Sequence, residues 1–199
     1  QQAQRTNAGF TSPAAPAKGR CIIQSEWRKV SIRNCPKALT TYRLGVELGL
    51  SKEELIILKR GSLLHDIGKI GVRDSILHKP GLLTNDEWKS MRHHPEIGAK
   101  IVDGIPFLEE TIPIIRYHHE RWNGSGYPLG LQGDEIPIAA RIFAVADVFD
   151  ALTSRRPYRR TATDAEAFEY LQENAKILFD PKIVKVFEKL LNQGAISAE

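Results

Sequence analysis

The stretch that most limits the fold is "PIAARIFAVADVFDALTS", residues 137–154. Wound at about 3.6 residues per turn, it is apolar on nearly every side. A helix with no polar face for water has to be covered all round by other helices. Asp147 and Asp150 are out of place on it. A carboxylate taken out of water is costly unless it is paired or bound to metal. Asp147 therefore calls for a cation, with Arg141 or Lys69 as the ordinary partners and a metal as the functional one. For Asp150 a hydrogen bond at the helix end is the simpler expectation.

The segments that would cover this helix are helical too. "YRLGVELGLSKEELIILKRGSLLHDIGK" reads as a short helix from Tyr42, a break near Gly49, and a second helix opened by a capping box, Ser51 with Glu54. Leu55, Ile57, Leu58, Leu63 and Leu64 supply its buried face and lead into His65 and Asp66. Upstream of Tyr42, Pro36 is expected to disrupt any helix. Thr84 and Glu87 form a second capping box, and Pro95 interrupts the helix that follows, which puts His94 at a helix junction.

"FLEETIPIIRYHHER" reads as one further helix carrying His118 and His119. The loop "WNGSGYPLGLQGDEIP" has Gly124, Gly126, Gly130 and Gly133 where positive φ or close backbone approach is needed. A third capping box, Thr163 with Glu166, and an amphipathic helix after Pro181 close the chain. No alternating strand and no repeat are evident, so the fold class is all-α, a helical bundle.

A length of 199 residues suits one domain. Residues 1–20 have almost nothing to bury and read as a tail. Residues 1–35 are taken as a flexible or atypical N-terminal segment and 36–199 as the domain. The net charge of +4 is spread out rather than run together, which favours a small phosphate-bearing ligand over DNA. Cys21 and Cys35 make neither a zinc ribbon nor a disulfide framework, so a reducing compartment is expected. No stretch approaches the roughly 18 apolar residues of a membrane helix. A cytoplasmic domain without membrane contact is the expectation.

Chemistry gathers at the helix ends. Of six histidines, His65, His94, His118 and His119 stand where helices end or meet, accompanied by Asp66 and Asp147. Imidazole and carboxylate together suit iron, manganese or zinc. Neighbours such as His65 and Asp66 point about 100° apart on a helix. One can then ligate one metal while the other bridges to a second. His78 and His93 read instead as helix-terminal residues that interact with the dipole.

The blocks "LLHDIGKIG", "HPEIG", "HHERWNGSGYP", "RIFAVADVFDALTSRRPYR" and "FDP", in this order, resemble the HD-GYP domains, a branch of the HD phosphohydrolase superfamily. The resemblance implies the helical HD bundle and metal-dependent hydrolysis of cyclic di-GMP to pGpG, with a second cut to GMP left open. It implies two divalent ions, iron or manganese before zinc. Their ligands would be His65, Asp66, His94, His118, His119 and Asp147, with Asp66 as the bridge and a catalytic residue. Lys69 would serve catalysis and face a substrate phosphate, Arg156 and Arg159 would meet the other phosphate, and Tyr127 would present the signature loop to substrate. Two close metals would generate a hydroxide that attacks phosphorus in line.

Two positions depart from the pattern. Asn123 stands where "WDGxGYP" has Asp, keeping its size and a capping acceptor. Arg33, with Lys29 a turn earlier, stands where an "HxxRV" histidine is expected; a cation cannot ligate a metal. An active phosphodiesterase is ranked first. A degenerate domain that binds nucleotide or a signalling partner through the GYP loop stays open, as does a hydrolase of another nucleotide. A homodimer is a further open partner.

Overall fold

The computed structural model describes residues 35–154 and 160–197. Nine α-helices are present among them: α1 Pro36–Glu47, α2 Lys52–Leu64, α3 Asp74–Leu77, α4 Asn85–Met91, α5 His94–Val102, α6 Ile112–Tyr117, α7 Ile138–Thr153, α8 Asp164–Glu173 and α9 Pro181–Asn192. Three short 3-10 helices, Ile67–Gly71, Glu109–Thr111 and Gly133–Glu135, join them. Among the described residues the only extended pairings are the isolated bridges Asn123 with Gln132 and Ala175 with Phe179. The all-α expectation holds.

The apolar stretch is α7, the central helix of the bundle. It contacts α1, α2, α6, α8 and α9, and Ile142, Phe143, Val145, Ala146 and Phe149 are buried along it. Phe149 packs at 4.8 Å against Phe187 of α9. Each of the buried Ile, Val and Phe side chains stabilises by about 1.5–3 kcal/mol. The cover loosens at the start of α7, where Ile138 is exposed. No helix among the described residues is long and apolar enough to cross a membrane.

The three capping boxes form as read, at Ser51 with Glu54, Thr84 with Glu87 and Thr163 with Glu166. Each pairs two backbone N–H groups that a helix start leaves without partners.

Two readings need correction. Pro36 does not disrupt a helix; it opens α1, six residues before Tyr42. At a first helical position proline has no intrahelical N–H bond to lose, and its φ is already helical. The early turns carry little apolar pattern, because their buried residues are small or polar, Ala38, Thr40 and Thr41. Likewise "FLEETIPIIRYHHER" is not one helix. It divides into the 3-10 turn Glu109–Thr111 and the short α6, with Pro113 in the first turn of α6.

Candidate metal centre

Three histidines close three helix ends in the same way. His65 caps α2 and its Nδ1 lies 2.9 Å from the carbonyl oxygen of Ser62. His94, just past α4, places Nδ1 2.8 Å from Met91 O, and His118, capping α6, places Nδ1 2.8 Å from Ile115 O. The last carbonyls of a helix lack intrahelical partners. A ring nitrogen that faces one must carry the hydrogen, so each Nδ1–H donates and each Nε2 is left with a lone pair. A hydrogen bond from the far ring nitrogen is the usual way a metal-binding histidine is oriented.

The freed Nε2 atoms converge on Asp66. Its Oδ1 lies 3.4 Å from His94 Nε2 and 4.0 Å from His118 Nε2. Its Oδ2 lies 3.2 Å from His65 Nε2 and accepts a 2.7 Å bond from the Lys69 ammonium. His94, His118 and His119 bring one ligand atom each within 4.8 Å of one another, a spacing that suits a single metal ion. His94 and His118 are 1% and 2% exposed. Gly68 lets this happen: a Cβ there would stand 1.9 Å from the His94 carbonyl oxygen, so only glycine allows the 3-10 helix to lie against α5.

Electrostatics keep the donors ready. Burial pushes the Asp66 carboxyl up, and the Lys69 ammonium that donates to Oδ2 favours the ionised form and pulls it down. Burial, then the neighbouring His65, lowers His118 to about 3; burial, then His118, lowers His119 to about 2. Both rings are therefore neutral at pH 7, the form that ligates metal.

Asp147 reaches the same centre, with Oδ1 4.0 Å from His65 Nε2. Its cation, however, is neither Arg141 nor Lys69. Lys37, from the first turn of α1, donates to Asp147 Oδ1 at 2.6 Å, and Asp150 Oδ2 faces the same ammonium at 3.9 Å. Arg141 is engaged elsewhere, with Asp134 at 2.5 Å and Asp180 at 2.8 Å. Nothing near Lys37 marks it in the sequence, because the contact depends on where α1 starts.

Tyr127 is half-buried and stacked on His119, ring centroids 4.7 Å apart and planes 24° from parallel, with the Arg92 guanidinium 5.4 Å from its centroid. Burial pushes its hydroxyl up to about 12. Its loop is anchored by Glu120, a residue the sequence did not single out. The Glu120 carboxylate, in a residue 2% exposed, accepts from the backbone N–H of Leu129 at 2.8 Å, Gly130 at 3.2 Å and Leu131 at 3.1 Å. A signal was available: an acid directly after paired histidines and before a glycine loop whose N–H groups have no strand to join.

Gly124, Gly130 and Gly133 take positive φ, whereas at Gly126 a Cβ would meet Arg121 N at 2.4 Å. Asn123 keeps the acceptor role, receiving Ser125 N–H at 3.0 Å and the Ser125 hydroxyl at 2.6 Å. His78 caps α3, and His93 lies 2.6 Å through Nδ1 from Lys89 O; both are exposed and outside the centre. Arg156, Arg159, Arg33 and Lys29 lie outside the described residues.

A helical bundle whose helix ends bring four histidines and two aspartates together, three of the imidazoles spaced so that they could hold a metal ion, has the architecture of an HD-type domain. The HD-domain family profile matches residues 20–183, and the chain belongs to that family, in its HD-GYP branch. It is 50% identical over 140 residues to the cyclic di-GMP phosphodiesterase response regulator RpfG of Xanthomonas campestris, covering 69% of this chain and 37% of that protein. It is 44% identical over 151 residues to the 3'3'-cGAMP-specific phosphodiesterase 2 of Vibrio cholerae, covering 75% and 29%. The chain thus spans well under half the length of these curated relatives. Among solved structures, a cyclic GMP-AMP specific phosphodiesterase of V. cholerae superposes with a TM-score of 0.63 at 23% identity, over 79% of this chain and 43% of that one. At that identity the likeness is one of fold.

Proposed function

We propose that this chain is a metal-dependent phosphodiesterase domain that hydrolyses cyclic di-GMP to linear pGpG and then to GMP. The observation that carries the reading is the Asp66 carboxylate, with Oδ1 toward His94 and His118 and Oδ2 toward His65. A carboxylate so flanked can serve two cation positions, one with His94, His118 and His119, the other with His65 and Asp147. Such a donor set suits two divalent ions, iron or manganese before zinc. When bound, such ions supply an activated water near neutral pH and draw charge from the phosphoryl oxygens.

The chain's own groups do the remaining work. Backbone carbonyls at three helix ends fix the imidazoles with Nε2 inward, and Tyr127 holds the plane of His119. The Lys69 ammonium, beside Asp66 and half-exposed, is the proposed contact to one substrate phosphate. Arg156 and Arg159 are the proposed contacts to the second phosphate. The relative at 50% identity is named for cyclic di-GMP and the one at 44% for 3'3'-cGAMP, so 3'3'-cGAMP is the second substrate to try. Leu129, 63% exposed in the GYP loop, makes that loop the proposed contact for a signalling partner.

The test is product analysis after anaerobic loading with Fe²⁺ or Mn²⁺ and incubation with each cyclic dinucleotide. Conversion of cyclic di-GMP to pGpG, abolished in Asp66→Ala, is expected. No turnover of either dinucleotide with any metal, under conditions where the protein is folded, overturns the reading.

A further inference from the structure

The Lys37 ammonium occupies a carboxylate that a second cation would need, that of Asp147. It bonds Asp147 Oδ1 at 2.6 Å, lies 3.9 Å from Asp150 Oδ2, and sits 5.8 Å from the centroid of the Phe143 ring, whose face attracts positive charge. Its placement is not that of a loose surface lysine. The side chain is 19% exposed, and the helix that carries it is pinned by the burial of Ala38, Thr41 and Leu44 and by contact between α1 and α7. The Thr41 hydroxyl donates to the Lys37 carbonyl oxygen at 2.7 Å, adding a further tie within that first turn.

The two sides of Asp66 differ in consequence. On the Oδ1 side are His94, His118 and His119, three imidazoles and a carboxylate oxygen. On the Oδ2 side are His65 and Asp147, but both carboxylates there already hold ammonium groups, Asp66 Oδ2 that of Lys69 and Asp147 Oδ1 that of Lys37. A divalent ion binds a carboxylate oxygen at about 2.0–2.2 Å. An ion so bound to Asp147 Oδ1 would lie against the ammonium already on that atom, with like charges in a pocket partly closed to water. On that oxygen the two cations compete for one place.

We propose that Lys37 is a built-in cation that replaces the second metal ion, so that this chain holds one divalent ion, on Asp66, His94, His118 and His119. The inference rests on the metal-site reading above and changes its stoichiometry. Asp147 then serves as the counter-ion of Lys37 rather than as a ligand. Charge that a second ion would have met on a phosphoryl oxygen falls to the ammonium groups of Lys37 and Lys69.

The test is to strip the full chain of metal, reload it anaerobically with excess Mn²⁺, and remove unbound ion. Manganese per folded chain is then measured by elemental analysis, and the electron paramagnetic resonance spectrum is recorded. The wild type is expected to hold one Mn²⁺ with the six-line spectrum of an isolated ion. Lys37→Met, which keeps the stem and removes the charge, is expected to hold two with an exchange-coupled spectrum. Asp147→Asn is expected to stay at one, which gives a reading should Lys37→Met not fold. Two ions in the wild type, one in folded Lys37→Met, or a lower manganese content in Asp147→Asn overturns the proposal. Two ions in the wild type would leave the phosphodiesterase reading standing, whereas no bound manganese in any folded form defeats both.

Discussion

His94 Nε2 lies 3.3 Å from His118 Nε2, and neither nitrogen carries a hydrogen when both Nδ1 atoms donate to backbone carbonyls. Two lone pairs face each other in a buried place, an arrangement that repels until a cation enters between them. Metal should therefore stabilise the fold strongly. At a free Mn²⁺ concentration 100 times its Kd, linkage gives about 2.7 kcal/mol. Thermal melts should rise with Mn²⁺ and fall back with chelator, and the rise should vanish in His118→Ala. A melting point indifferent to Mn²⁺ would count against the site.

The same rings make the metal-free protein sensitive to acid. His118 and His119 have folded pKa values of about 3 and about 2, below the ordinary 6.5. The unfolded chain thus binds protons that the folded chain refuses, and stability rises with pH across that interval. The contribution is complete above about pH 6.5 and is lost progressively as pH falls toward the folded values. The limiting slope is about 1.4 kcal/mol per pH unit for each ring. Denaturant midpoints of metal-free protein should fall between pH 7 and pH 5, and the fall should be shallower in His118→Asn. An unchanged slope in that variant would show that His118 titrates normally.

What could be read from the sequence was what depends on near neighbours. The caps at Ser51, Thr84 and Thr163 are contacts to the third residue on, and the helix-end histidines use the carbonyl three residues back; both patterns lie within one turn of chain. The apolar texture of α7 likewise announced a central helix. The pairing of Lys37 with Asp147 joins residues 110 apart, and it required knowing that Pro36 begins a helix. Glu120 was passed over for a similar reason: its partners, Leu129 to Leu131, come near only because the glycine loop folds back.

Glu120 offers a prediction separate from metal binding. Its carboxylate is the acceptor for three successive backbone N–H groups, and hydrogen bonds to a charged group are worth about 1.5–3 kcal/mol each when buried. Water can replace part of this around a half-exposed loop, so Glu120→Ala should cost about 2–3 kcal/mol rather than the sum. Amide exchange should accelerate at Leu129, Gly130 and Leu131 while α7 keeps its protection. Retained protection at those three amides would remove Glu120 as the anchor of the loop.

Gly68→Ala should separate the halves of the metal site without touching a ligand. The added methyl would stand 1.9 Å from the His94 carbonyl oxygen and 2.4 Å from the Gly98 nitrogen. Both are backbone atoms, so no side chain can rotate out of the way. The 3-10 helix carrying Lys69 has to move off α5, and the Asp66 to His94 distance of 3.4 Å grows with it. Overpacking of this kind typically costs about 1–3 kcal/mol. The expected result is a lower melting point together with Mn²⁺ affinity weakened by at least about tenfold, as when a supporting shell is disturbed. Wild-type Mn²⁺ affinity in folded Gly68→Ala would mean that the approach of the 3-10 helix to α5 does not set the geometry of the site.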